Sequence, residues 1–376
     1  MASSDDLTAA AVRHTGLADF GDDSFREGLG LLLADLDSAR LNARGEGFIY
    51  PRLVRYLEQR LHVEDWYLRY PEIEDIPVEA PLFGLGLPRT GSTALSCLLA
   101  QDPNVRYVRR WESSEPCPPS STVVGDDPRV TEDERVLVGS RFHTPHNTHD
   151  PMECLDIMAM DFKSQIFQAF AAVPKYSEWL VSDADFTSTY RFEKRVLKLL
   201  QFGERPRPWR LKSPSHVLSL EALDSVFPDA RFVMTHRDPT DVLLSVVELY
   251  ADMVGGFSDV CDRRYLGRLN VEHWSVGMER AVKFRDGGAG HRFYDIDFRV
   301  MAADPIGEVR GLYTWLGEPV SAEFEQQMGS WWEHNAANRE PSVRADPADF
   351  GLDLDAIRPL FADYVDHARR WTQRKG

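Results

Sequence analysis

The sequence predicts an α/β fold of three layers, a central parallel sheet with helices on both faces and a helical layer ahead of it. Three observations carry this expectation. An apolar run from Ala80 to Leu87 enters a Gly-rich turn and then a helix. Strand-like and helix-like patterns alternate again from Trp209 to Val247, as parallel strands joined by crossover helices require. Apolar residues at helical spacing fill residues 24–70.

In chain order, Leu29, Leu32, Leu33 and Leu36, then Leu53, Tyr56, Leu57 and Leu61, place one apolar face on the N-terminal helices, which Pro71 and Pro77 end. The first buried strand spans Ala80 to Leu87, and its helix runs from Thr90 to Ala100, closed by Asp102-Pro103. Residues 111–151, rich in Pro, Ser, Asp and His, are expected as extended loop with a short helix near Glu132 to Val138. Helical patterns return over 152–203, where Met152, Met158, Met160, Phe162, Phe167 and Phe170 are spaced as a helix core. A strand at Trp209 to Lys212, a helix from Pro214 to Phe227, a strand at Arg231 to Thr235 and a helix bearing Val242, Leu243, Val246 and Val247 follow. Helices at about 260–286, 298–316 and 320–334, a strand at Arg292 to Ile296 and a helix from Asp353 to Trp371 complete the chain. The expected division is a helical layer over 1–78 and a binding core over 79–376.

Composition narrows the partners. With 376 residues and 43% hydrophobic content the chain fills a sizeable core. Its 60 acidic residues outnumber 43 basic ones, a net charge of −17, which argues against nucleic acid or an anionic polymer as partner and assigns anion binding to local sites. Cys97, Cys117, Cys154 and Cys261 lie far apart with no C-x-x-C pair, so spacing indicates neither a zinc site nor a disulfide framework. The N-terminus lacks a signal-peptide pattern, and no apolar run approaches the roughly 18 residues that span a bilayer, so a cytoplasmic location is expected. Trp331-Trp332 reads either as a buried pair or as part of a surface for peripheral membrane contact.

The turn after the first strand, Phe83-Gly-Leu-Gly-Leu-Pro88-Arg89-Thr90-Gly91-Ser92-Thr93, is one residue short of a phosphate-binding P-loop. Against G-x-x-x-x-G-K-[ST], Gly86, Gly91 and Thr93 fall in register, but Ser92 stands where the lysine belongs and the cation is Arg89, inside the loop. Backbone N–H groups of such a turn and the positive end of its helix still form an anion site. A second motif, Arg231-Phe-Val-Met-Thr-His-Arg237-Asp-Pro, ends a strand, with Ser245 two helical turns further on. The guanidinium fork of Arg237 and the Ser245 hydroxyl suit a second phosphate, or else Arg237 pairs structurally with Asp238 or Asp241.

These motifs, with Leu211-Lys212-Ser-Pro-Ser-His216 after another strand, resemble in order and spacing over roughly residues 80–250 the sulfotransferases that use 3′-phosphoadenosine 5′-phosphosulfate (PAPS). Arg89 in place of lysine is closer to the branch holding bacterial and protein-tyrosine sulfotransferases. The resemblance implies a P-loop NTPase-like sulfotransferase fold, a 5′-phosphosulfate held by residues 88–93, a 3′-phosphate held by Arg237 and Ser245, and adenosine 3′,5′-bisphosphate as product. Segments within 111–203 would then shape the pocket of a hydroxylated small-molecule or lipid acceptor. Breaking a phosphate-to-sulfate anhydride needs no clamp across β- and γ-phosphates, so no metal is expected in the transfer. Arg89 and Lys212 are the expected cations on the leaving oxygen. Glu112, where tyrosyl sulfotransferases keep a glutamate, is the preferred base, with the loop histidines His143, His146 and His149 as rivals. His216 reads as a further base or a plain helix-start residue, and Glu153 as a pocket residue or a favourable helix start. Arg344 lies in a late segment similar to the one that closes over PAPS, without its usual glycines. The remaining readings are a small-molecule kinase with a variant P-loop and a nucleotide-binding protein without turnover.

Overall fold

The structure, a computed structural model, describes residues 2–138, 147–338 and 345–373. Four parallel strands, β1 (Leu82–Gly86), β2 (Arg210–Lys212), β3 (Arg231–His236) and β4 (Phe293–Asp297), lie in the order β2-β1-β3-β4. In register, Phe83 pairs with Leu211 and Phe232, and Phe232 with Phe293. Because β1 is interior and every strand runs the same way, the turns after β1, β2 and β3 emerge along one edge, where ligands bind in such sheets.

Side chains alternate between two buried clusters, as the period of a strand dictates. Leu82, Val233 and Ile296 face a smaller cluster with Leu95, Leu98, Leu312 and Phe324. Phe83, Leu85, Phe232 and Met234 face a larger one that also takes in Leu29, Leu53, Tyr56 and Leu61 of the N-terminal helices. The central parallel sheet covered on both faces is therefore present as the sequence predicts.

Boundaries differ where local chemistry overrides periodicity. The N-terminal 24–70 region is two helices, Phe25–Leu36 and Ala43–Arg69, and an additional helix, Ser4–Thr15, precedes them. That helix is closed by a capping box, Ser3 Oγ accepting from Asp6 N and Asp6 accepting from Ser3 N, and ends at Gly16 in the left-handed conformation. Among the described residues of the 111–151 region, a helix at Arg110–Ser114 is added and the helix expected near Glu132 to Val138 starts earlier, as Pro128–Val138. The region 152–203 resolves into Leu155–Ala159, Ile166–Phe170, Pro174–Ser182 and Thr187–Leu200. Met158, Met160, Phe162, Phe167 and Phe170 are core, while Met152 is half-buried. Asp304-Pro305 splits the expected 298–316 helix into Phe298–Ala303 and Pro305–Leu316, since Pro cannot donate and Asp304 caps the second piece through Gly307 N. Pro359 likewise interrupts the C-terminal helix, leaving Leu354–Ile357 and Ala362–Gln373. No helix among the described residues is long and apolar enough to cross a membrane. Trp331 and Trp332 are half-buried against the smaller cluster, and all four cysteines are unpaired.

Candidate active site

The turn after β1 is held by its own sequence. Gly86 adopts φ 126°, and a Cβ there would stand 2.7 Å from the Thr235 carbonyl oxygen of β3, so only glycine lets the strands meet. Gly91, at φ 87°, precedes the helix Ser92–Leu99, and a Cβ there would stand 2.6 Å from Met301 Cε. Thr90 donates to the Leu87 carbonyl (2.7 Å) and shares a 2.6 Å hydrogen bond with Thr235, tying the loop to itself and to β3. Arg89 is a non-glycine residue at φ 59°, a sparsely populated conformation that clusters at functional sites. Pro88 completes the turn, and Ser92 is buried at the helix start.

The end of β3 meets this turn. Arg237 Nη1 donates to the Arg89 carbonyl at 3.0 Å, and Arg89 Nε donates to Ser245 Oγ at 3.0 Å. Arg89, Arg237 and Ser245, expected at two phosphate groups, thus form one continuous chain across the strand ends. Arg237 also stacks on Phe298, 4.8 Å from the ring centroid. Asp238 caps the helix Pro239–Phe257 by accepting from Thr240 N at 2.9 Å, so the helix carrying Ser245 starts at a fixed place. Beneath Arg237, buried His236 bonds Asp295 (2.8 Å) and Tyr364 (3.0 Å), and Arg285 grips Asp295 at 2.7 and 2.8 Å. Burial pushes the Asp295 carboxyl up, but the Arg285 and His236 hydrogen bonds outweigh it and hold it at about 2.

Lys212, at the end of β2, reaches the same edge. Its Nζ lies 2.6 Å from Glu153 Oε1 and 3.3 Å from Thr93 Oγ1 on the turn's helix. The lysine side chain is 4% exposed and Glu153 28%, so the cation is desolvated while the carboxylate keeps access to solvent. Backbone bonds fix the pair: Cys154 N donates to the Lys212 carbonyl, and Ser213 N to that of Gly84. Tyr250, on the helix bearing Ser245, lies near this pair; burial raises its phenol, and the Glu153 charge adds to the effect.

Glu112 is held by arginines. It is 1% exposed, with Oε1 taken by Arg106 (2.6 Å) and by Arg109, and Oε2 accepting from Arg109 N, which closes the first turn of Arg110–Ser114. Burial alone would raise its carboxyl, but Arg106 and Arg109 hold it below the usual range. A base must touch the proton it removes, and this carboxylate is occupied by arginines. His216 is fully buried against Phe83, with Nδ1 bonded to Tyr190 at 3.0 Å, and burial lowers it to about 3. Of the loop histidines, His149 is exposed, whereas His143 and His146 lie outside the described residues, as does Arg344. Sequence reasoning ranked Glu153 low because a carboxylate opening a helix is common; the contact that raises it is to Lys212, 59 residues away.

The profile of the sulfotransferase family matches residues 81–322. The sulfotransferase STF9 from Mycobacterium avium is 33% identical and superposes with a TM-score of 0.90, covering 98% of this chain and 97% of that one. STF1 from Mycobacterium tuberculosis H37Rv is 30% identical with a TM-score of 0.84, covering 96% and 99%. The omega-hydroxy-beta-dihydromenaquinone-9 sulfotransferase Stf3 of Mycobacterium bovis is 27% identical over 152 residues, 38% of this chain and 38% of that protein. On its strand-end geometry and on these matches, the chain belongs to the sulfotransferase family.

Proposed function

We propose that the protein transfers the sulfuryl group of PAPS to the hydroxyl of an apolar, lipid-class acceptor. The observation that carries the reading is the chain Arg237–Arg89–Ser245 beside a phosphate turn that has Ser92 in place of the nucleotide lysine. It adds to the phosphate turn a second guanidinium and a hydroxyl, groups that a donor with a 3′-phosphate uses and a γ-phosphate donor does not. The lipid class rests on the name of the relative Stf3, which describes a hydroxylated menaquinone derivative as its substrate.

In this reading the turn over residues 88–93 holds the 5′-phosphosulfate through backbone N–H groups, and Arg237 with Ser245 holds the 3′-phosphate. Glu153 is the base, in place of Glu112: it adjoins the cation and keeps solvent access. The acceptor oxygen forms the new S–O bond while the bond from sulfur to the 5′-phosphate oxygen breaks. The acceptor proton passes to Glu153, and the electron pair of the broken bond stays on the phosphate, where Lys212 and Arg89 stabilise it. Neither step uses a metal ion.

Incubation with sulfur-labelled PAPS and a panel of hydroxylated lipids, phenols and sugars tests the reading. The expected result is label on a lipid hydroxyl with equimolar release of adenosine 3′,5′-bisphosphate. Phosphate transferred from ATP·Mg, with PAPS inert, would establish the kinase instead.

A further inference from the structure

Behind the Lys212–Glu153 pair, three side chains from distant parts of the sequence converge. Among the described residues, Cys154, Glu193 and His216 alone form a group whose Sγ, carboxylate oxygen and imidazole nitrogen all lie within 4.8 Å of one another. All three are fully buried. The Cys154 thiol is the hydrogen-bonding neighbour of the Glu193 carboxylate, which has no other partner, and His216 Nε2 has none. A buried imidazole nitrogen left unpaired and a buried carboxylate met only by a weak S–H donor are both costly, and one common partner would relieve both.

We propose that Cys154, Glu193 and His216 bind a structural zinc ion. Thiolate, imidazole and carboxylate are the ligand types of zinc, and a soft sulfur with a nitrogen disfavours calcium or magnesium. One thiolate and one carboxylate neutralise the dication, so the assembled site carries no net charge into the core. Around a tetrahedral zinc with bonds of about 2.0–2.3 Å, ligand atoms lie roughly 3.3–3.8 Å apart, a small contraction of the triad. With Cys154 bound as a thiolate its hydrogen bond to Glu193 is released, and the Glu193 carboxylate, binding through both oxygens, supplies two of the four bonds.

The surroundings orient the ligand atoms. His216 Nδ1 lies 3.0 Å from Tyr190 Oη, which lies 2.9 Å from Ser219 Oγ. With Nδ1–H donating to Tyr190 and Tyr190 donating to Ser219, Nε2 is left as the nitrogen with an unshared lone pair, the arrangement seen behind metal-bound histidines. The ion would staple three segments: Cys154 follows Glu153, His216 lies four residues after Lys212, and Glu193 belongs to the helix Thr187–Leu200. The catalytic pair would then be held from behind. The sequence concealed this site because no two of its ligands lie within a metal-binding spacing; the fold assembles them.

The test is the zinc content of the full-length protein, purified without chelator or metal resin, by plasma mass spectrometry, with X-ray absorption at the zinc edge. About one zinc per chain is expected, with one sulfur and the rest nitrogen or oxygen scatterers. Dialysis against a strong chelator should lower the thermal unfolding midpoint, and zinc alone should restore it. Tyr190→Phe, which keeps all three ligands, should weaken zinc binding about 10- to 100-fold. Zinc below about a tenth of an equivalent, both as purified and after incubation with excess zinc, would overturn the proposal. So would zinc bound without a sulfur scatterer. These readouts need no PAPS, so they fail independently of the transfer reaction.

Discussion

Lys212→Ala is expected to lower the turnover of PAPS by about 10²- to 10³-fold, the usual cost of removing one donor from a developing oxyanion. Affinity for adenosine 3′,5′-bisphosphate should stay nearly unchanged, because the phosphate turn and the Arg237–Arg89–Ser245 chain hold the nucleotide without this residue. The effect follows from burial. A lysine 4% exposed acts in a low-dielectric site, where its charge on the leaving oxygen counts for more than it would in water. Its removal leaves Glu153, at 28% exposure, open to hydration, so the loss should appear in the rate and not in folding. Single-turnover rates together with a thermal melt check this. Equal losses in turnover and in bisphosphate affinity would make Lys212 a binding residue.

Glu153→Gln is expected to lower turnover by about 10²- to 10⁴-fold, the range for losing a positioned base, with the fold and bisphosphate binding retained. Glu112 provides the contrast. Truncating Glu112 to Ala leaves the buried guanidinium of Arg106 uncompensated, which costs about 3–5 kcal/mol of stability. Its defect should therefore register as a lower denaturation midpoint, and turnover per folded molecule should fall much less than in Glu153→Gln. A well-folded Glu112→Gln without activity, beside an active Glu153→Gln, would return the base to Glu112.

The layers of the fold were legible because β1 lies in a continuous apolar run and β3 carries the apolar centre Phe232-Val233-Met234, each bounded by turn residues, as strands buried on both faces do. The phosphate turn was legible for a related reason: Gly86 and Gly91 stand where only glycine fits, and that need leaves a fixed spacing. The capped helix Ser4–Thr15 was missed, because its short run lacks a strong apolar face and its only marks are Ser3 and Asp6 three apart with Gly16 at its end. Pairings across the fold left no such mark. Nothing near Glu153 announces Lys212, and nothing near Glu112 announces Arg106 as a buried partner, although the two are only six residues apart. A carboxylate's role depends on which cation the fold brings to it and on how much water remains, and neither is a property of local spacing.

A calorimetric titration tests the central claim, a donor site that reads a 3′-phosphate. Adenosine 3′,5′-bisphosphate should bind the wild-type protein with no divalent metal present, and more tightly than ATP·Mg. Arg237→Ala should weaken the bisphosphate by about 10- to 100-fold, the worth of a hydrogen bond to a charged group, and leave 5′-AMP nearly unaffected. Equal losses for the two nucleotides, or tighter binding of ATP·Mg, would contradict the account.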